Sequence, residues 1–243
     1  MTHTFLLMRR ELRSAFVTPT TWLTLGAAWF LMGFFFMSMI GGSGGELRDA
    51  IVGVFGAWWW VQFFLAPLFC MKLLSDERRT GTFETLMTAP VADHEVVLGK
   101  FLAALVLLSL GLASCPVLSA LVLPFEGRPD AGQLLAGVLG GLGTGSVLTA
   151  VGVFASALTS SQIFAAFLTL VLNTALSALP SVAAAELPRE HFLVRALARG
   201  SLPAQLREGS EGVLDLNHVA FQITASLLFL LFAVRALESR KWR

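Results

Sequence analysis

Charge is what this sequence has least of. Asp, Glu, Lys and Arg make up 14% of its 243 residues, against about 25% in a soluble domain, so the chain cannot cover a water-facing surface of ordinary polarity. Tyrosine is missing altogether and cysteine occurs twice. Both cysteines, Cys70 and Cys115, fall inside apolar runs, and free buried thiols are expected rather than a disulfide. A net charge of only +1 gives nucleic acid no electrostatic footing. No G-x-x-x-x-G-K-[ST] loop is present, so the chain lacks the usual cradle for nucleotide phosphates. His3, His94, His191 and His218 stand apart with no partner ligands at metal-site spacing. No local Ser/His/Asp pattern points to a hydrolase.

Apolar side chain is present in excess. Hydrophobic residues reach 56% and mean hydropathy is +0.75, which excludes disorder. An apolar helix of about 20 residues crosses the roughly 30 Å hydrocarbon core. Six stretches qualify, near 20–40, 51–74, 96–123, 132–157, 163–183 and 217–235. The expected fold is an all-α polytopic membrane protein with six transmembrane helices, occupying 1–243 as one transmembrane domain. No room is left for a large soluble catalytic domain. The first run starts near Thr20 and lacks a small-residue cleavage pattern behind it, so it reads as a retained span.

Residues 3–16, HTFLLMRRELRSAF, carry four charges and do not span. Phe5, Met8, Leu12 and Phe16 recur at spacings of three and four, the pattern of an amphipathic helix lying in the interface. Pro19 breaks the chain before the first span. Gly137, Gly141 and Gly145 repeat every fourth residue and are expected to let a neighbouring helix backbone approach closely. Ser160-Ser161-Gln162 reads as a tight turn, and 184–216 as a polar, irregular loop. Six spans put both termini on one side. Lys and Arg on that side, with the 75–95 loop and its edges, number eleven against six opposite. The positive-inside rule places the termini and 75–95 in the cytoplasm and 184–216 outside it. No Asp, Glu, Lys or Arg falls in the middle of a span, which counts against proton- or sodium-coupled transport. Asn173 fits helix-to-helix hydrogen bonding better than a substrate path.

The most polar segment so far along the chain is SDERRTGTFETLMTAPVADHE at 75–95. The second span should run on to end near Arg79. Gly81 suits helix termination and Thr82 a new N-cap. Phe83, Leu86 and Met87 then form one apolar face of a short helix over 83–89, with Glu84 and Thr88 on the other. Pro90 disfavours continuation, and Asp93 is expected to cap the third span. An apolar face on a peg outside the membrane calls for a partner, either lipid headgroups or a groove on another protein.

SDERRTGTFETLMTAPVADHEVVLGKF resembles the cytoplasmic loop of ABC type-2 permeases, through Glu77, Gly81-Thr82, Leu86 and Pro90. The likeness is closest to the gliding-motility (GldF-like) branch. It continues through ASALTSSQIFAAF at 155–167, HF with a following RG at 191–200, VLDLNHVAF at 213–221 and RALESRKW at 235–242. The stretch LPAQLREGSEG departs from that pattern. The resemblance implies the non-catalytic transmembrane permease of an ATP-driven exporter in the inner membrane, with ATP and Mg bound by a separate ATPase subunit and no cofactor on this chain. The peg would be a coupling helix seated on that ATPase, its contact region including Glu77, Arg78, Arg79, Gly81, Thr82, Glu84, Leu86 and Pro90. Ser160, Ser161 and Gln162 would make a second, smaller contact, and helix 3–16 would be the connecting helix. A second copy, or a different membrane subunit with an extracytoplasmic domain, would complete the pore. Two other readings stay open at the level of sequence: an ATPase-driven transducer that pulls on an extracytoplasmic partner without moving cargo, and an ion-coupled secondary transporter.

Overall fold

Helix breakers and apolar run lengths set the order of elements. The computed structural model describes residues 2–42, 47–79, 92–121, 130–186 and 200–239, and among these every regular element is an α-helix. α1 (Thr2–Val17) and α2 (Pro19–Gly42) are separated only by Thr18. Pro19 has no N–H to continue the ladder of α1 but suits the first position of a new helix. The Thr18 hydroxyl donates to the Ser14 carbonyl at 2.8 Å, closing α1. Then come α3 (Leu47–Cys70), α4 (Ser75–Arg79), α5 (Asp93–Leu112), α6 (Ser114–Ala120), α7 (Ala131–Leu158), α8 (Gln162–Glu186), α9 (Leu202–Ser210) and α10 (Leu216–Glu238). Six segments are long and apolar enough to cross a membrane, α3 with α4 and α5 with α6 each making one of them. The protein is an all-α, multi-pass membrane protein.

The six spans are not equivalent. In the spans built on α3, α5 and α7, 67, 50 and 61% of the most apolar stretch is buried, against 22% in each of α2, α8 and α10. Three helices therefore make the centre, and three turn most of their apolar surface to lipid or to another subunit. Trp58, Phe55, Leu108, Leu112, Val147 and Leu148 fill the central core. A β-carbon on Gly137 would stand 2.6 Å from the Phe55 ring, one on Gly141 2.8 Å from Leu112 and one on Gly145 2.8 Å from Leu108. The glycine ladder thus admits side chains of α3 and α5 rather than a backbone. Close backbone approach on α7 occurs beside the ladder, where a β-carbon on Gly140 would be 3.7 Å from Gly209 Cα in α9. The Gln62 amide adds a buried hydrogen bond to the Thr144 hydroxyl at 3.0 Å, tying α3 to α7.

Four local expectations change. The second span does not run unbroken to Arg79: α3 stops at Cys70 and a turn over 71–74 precedes α4. Asp93 is the first helical residue of α5 and not its cap, while the Glu95 carboxylate accepts the Ala92 N–H at 3.4 Å. The face of α1 turned to the bundle includes Thr4, Leu7 and Glu11, whereas Phe5 is 60% exposed. Finally, 184–216 is not irregular throughout. α8 extends to Glu186, and α9 forms because Leu202 and Leu206, one turn apart, are both buried against α7 and α3. Gln133 donates to the Ser210 carbonyl at 2.7 Å and Gln222 to the Gln205 side-chain oxygen at 2.9 Å, so the buried polar groups at Gln205 and Ser210 find partners inside the bundle while Arg207 and Glu208 stay exposed.

Candidate functional site

The site lies where α3 gives way to α4. The Cys70 thiol faces the Thr149 carbonyl at 3.6 Å, holding the end of α3 on α7. Two turns further along α7, the Ser156 hydroxyl oxygen accepts the N–H groups of Leu74 at 3.1 Å and Ser75 at 3.2 Å. Both amides belong to the start of α4, where no intrahelical acceptor exists. α4 is thereby aimed by a side chain of a central helix. Its first turn carries Asp76 and Glu77, acids at the end of a helix where they are favoured.

Glu77 enters a ring of four charges. Its Oε1 accepts from Lys100 Nζ at 2.8 Å and from Arg10 Nη2 at 3.2 Å, while Glu11 Oε1 accepts from the same two cations at 3.1 and 2.9 Å. Lys100 is 2% exposed, and two carboxylates satisfy it where water cannot. Lys100 follows Asp93 by seven residues, about 10 Å into α5 at 1.5 Å per residue, and so is not the loop-edge cation that its position in the sequence implies. Gly99 makes the junction possible. A β-carbon there would meet the Thr4 carbonyl at 3.0 Å and Leu7 Cβ at 2.9 Å, so α1 lies directly on α5 beside Lys100. One lysine thus joins α1, α4 and α5.

Burial works to raise the pKa of Glu11, but Lys100 and Arg10 outweigh it and hold the carboxyl below its ordinary value of 4.5. The hydrogen bond from Arg10 to Glu11 does most to raise the guanidinium pKa further. The depressed Glu11 value means that its contribution to stability is complete above pH 4.5 and is lost as pH falls below that through the folded-state value. Thermal unfolding in detergent is therefore expected to show a stability gap between the native chain and Glu11→Gln that is constant from neutral pH down to 4.5 and closes below it. A gap independent of pH would contradict this assignment.

The other singled-out residues are placed as follows. Arg78 and Arg79 end α4. Gly81, Thr82, Phe83, Glu84, Leu86, Met87 and Pro90 lie outside the described residues. Ser160 and Ser161 belong to the turn between α7 and α8, where Thr159 Oγ1 accepts the Ser161 N–H at 3.1 Å. Gln162, the first residue of α8, donates from its amide to Asp76 Oδ1. That bond brings the turn at 160–162 to the same end of the bundle as α4 and the charge ring. Asn173 is fully buried, and its amide has no hydrogen-bond partner among the described residues. Both cysteines are free and buried. No group of three or more His, Cys, Asp or Glu capable of holding a metal occurs among the described residues. Sequence reading assigned no role to Glu11 or Asp76 and used Arg10 and Lys100 only to fix topology. The available signal was the lone cation in VVLGKFLAALVLL.

A family model for "ABC-2 family transporter protein" matches residues 49–196, more than half of the chain. The chain belongs to the ABC-2 transporter family. No curated protein matches it. The matched region includes α4, most of the 75–95 segment's surroundings and Lys100, while α1 with Arg10 and Glu11 precedes it. Membership makes the chain the membrane part of an ABC transporter, a class whose membrane subunits are generally non-catalytic and work with an ABC ATPase.

Proposed function

We infer that this ABC-2 protein is the permease subunit of an ATP-driven exporter, worked from its 75–95 coupling loop by a separate ATPase that binds ATP and Mg. The observation that carries the reading is Lys100, buried and bonded at once to Glu77 of α4 and Glu11 of α1. The chain leaves α4 directly into 80–91, so force applied there reaches Glu77 within a few residues. Parting Glu77 from Lys100 would leave the 2% exposed ammonium with Glu11 as its one remaining carboxylate in the ring, a loss of up to about 3 kcal/mol. A pull on 80–91 therefore moves α1, α4 and α5 as a unit. α5 belongs to the central three helices, and its tilt against the outer ones would open and shut a path shared with a second copy or a different membrane subunit. The Asp76–Gln162 bond extends the same unit to α8.

The orientation with termini and 75–95 cytoplasmic in the inner membrane belongs to this proposal, supported by eleven Lys and Arg against six. So does the kinship with the gliding-motility branch and its second subunit with an extracytoplasmic domain. Leu86→Asp tests the ATPase contact, since it puts a charge among Phe83, Leu86 and Met87, whose spacing predicts one apolar face. The variant is expected to stay in the membrane and to lose co-purification of the ATPase. Undiminished pull-down would overturn the docking reading.

A further inference from the structure

Beside the charge ring lies a cavity of about 620 Å³ between α1, the start of α2, the end of α3 with α4, and α5. We propose that it binds the headgroup of a phospholipid carrying both a phosphate and a primary ammonium, as phosphatidylethanolamine does, held as a fixed component of the fold and not as cargo. This goes beyond the proposed function, because it requires only that α1 lies at a membrane surface.

Charge selects the class. The lining holds three cations, Arg10, Lys72 and Lys100, and three carboxylates, Glu11, Asp76 and Glu77. A purely anionic headgroup meets as much repulsion as attraction there, whereas a headgroup of both signs finds a complement for each. Lys100, Arg10 and Glu11 are committed to one another. Lys72 is exposed and makes no ion pair or hydrogen bond among the described residues, so its ammonium is available to a phosphate. Thr20, on α2, is another lining residue, and its hydroxyl is a candidate donor to the same group. Asp76, which accepts from the Gln162 amide, is a carboxylate with room for several donors and can take the lipid ammonium as another.

The apolar part of the lining selects a lipid over a soluble ion: Leu68, Phe69, Leu107 and Ala104 belong to it. At roughly 30 Å³ per molecule, water filling the whole space would amount to about 20 molecules, many against side chains with which they cannot bond. An amphipathic occupant meets both the charged and the apolar lining. Depth agrees: Trp22, one residue past the lining residue Thr21, is 59% exposed, meets Phe16 with ring centroids 5.6 Å apart and planes tilted by 50°, and donates from its indole to the Phe16 carbonyl at 2.7 Å. Exposed tryptophan with an anchored N–H marks the headgroup level of a bilayer. The cavity is partly open, so an occupant need not be wholly enclosed and acyl chains can extend beyond it.

The test is native mass spectrometry of the full chain in detergent, titrated with phosphatidylethanolamine, phosphatidylcholine, phosphatidylglycerol and the soluble headgroup glycerophosphoethanolamine. One retained phosphatidylethanolamine per chain is expected, at least tenfold tighter than phosphatidylglycerol or phosphatidylcholine, the last having no ammonium N–H to donate. Lys72→Gln should weaken it about tenfold, with unfolding temperature in lipid-free detergent unchanged because Lys72 is exposed. Thr20→Val provides a second variant, on α2, with a smaller loss expected. Equal retention of phosphatidylglycerol, binding of the soluble headgroup as tight as that of the lipid, or native-like retention by both variants would overturn the proposal.

Discussion

Lys100→Met should lower the unfolding temperature of the detergent-purified protein by on the order of 10 °C, because removing one partner of a buried ion cluster costs about 3–5 kcal/mol and each kcal/mol shifts a chain of this size by a few degrees. Methionine nearly matches the volume of the lysine stem, so lost packing contributes little. What remains is Glu11 and Glu77, 19 and 16% exposed, sharing the single guanidinium of Arg10, which is itself 54% exposed. The triple variant Lys100→Met, Glu11→Gln, Glu77→Gln removes the stranded charges and should recover most of the lost stability, as neutral replacements of buried ion clusters commonly do. Under the proposed mechanism it should not recover ATP-driven transport, because no strong bond then ties α4 to α1 and α5. Full activity in the triple variant would show that the cluster only holds the fold together. An unchanged unfolding temperature in Lys100→Met would contradict the burial of the ammonium.

Gly152→Val is the second substitution with a large expected effect. A β-carbon at Gly152 would stand 2.7 Å from both Cβ and Sγ of Cys70. Cβ is fixed to its backbone, so α3 must move away from α7. Overpacking of this kind costs about 1–3 kcal/mol, and here it acts at the last residue of α3. Ser156, one turn on, would lose its hold on the Leu74 and Ser75 amides, and α4 would carry Glu77 away from Lys100. The expected outcome is lower thermal stability together with impaired coupling. Gly26→Ala and Gly33→Ala are the controls: a β-carbon at either meets nothing within 4 Å, and alanine is the better helix former by about 1 kcal/mol. Both should be neutral or stabilising. A Gly152→Val protein as stable as these controls would show that α3 and α7 are looser than the packing of Cys70 requires.

The charge ring was hidden from sequence reading for a definite reason. Lys100 is bonded to residues 89 and 23 positions away, and no local periodicity reports such pairings. Its position near the polar 75–95 segment made it look like a loop-edge residue. Similarly, the acidic and basic residues of LPAQLREGSEG masked Leu202 and Leu206, whose burial depends on the hollow left by glycines of α7. The Gly137, Gly141 and Gly145 ladder was legible as a packing device, but not which side chains would enter it.

The sequence by itself determined the all-α class, the six spans, a separate N-terminal helix and the break at Pro19, because run length, hydropathy and proline act within one turn or one bilayer thickness. Tertiary structure alone decided which three helices form the centre, where α3 yields to α4, and that one buried lysine fastens α1, α4 and α5. Those outcomes depend on which distant groups must neutralise one another once water is excluded, and that requirement exists only after the helices have packed.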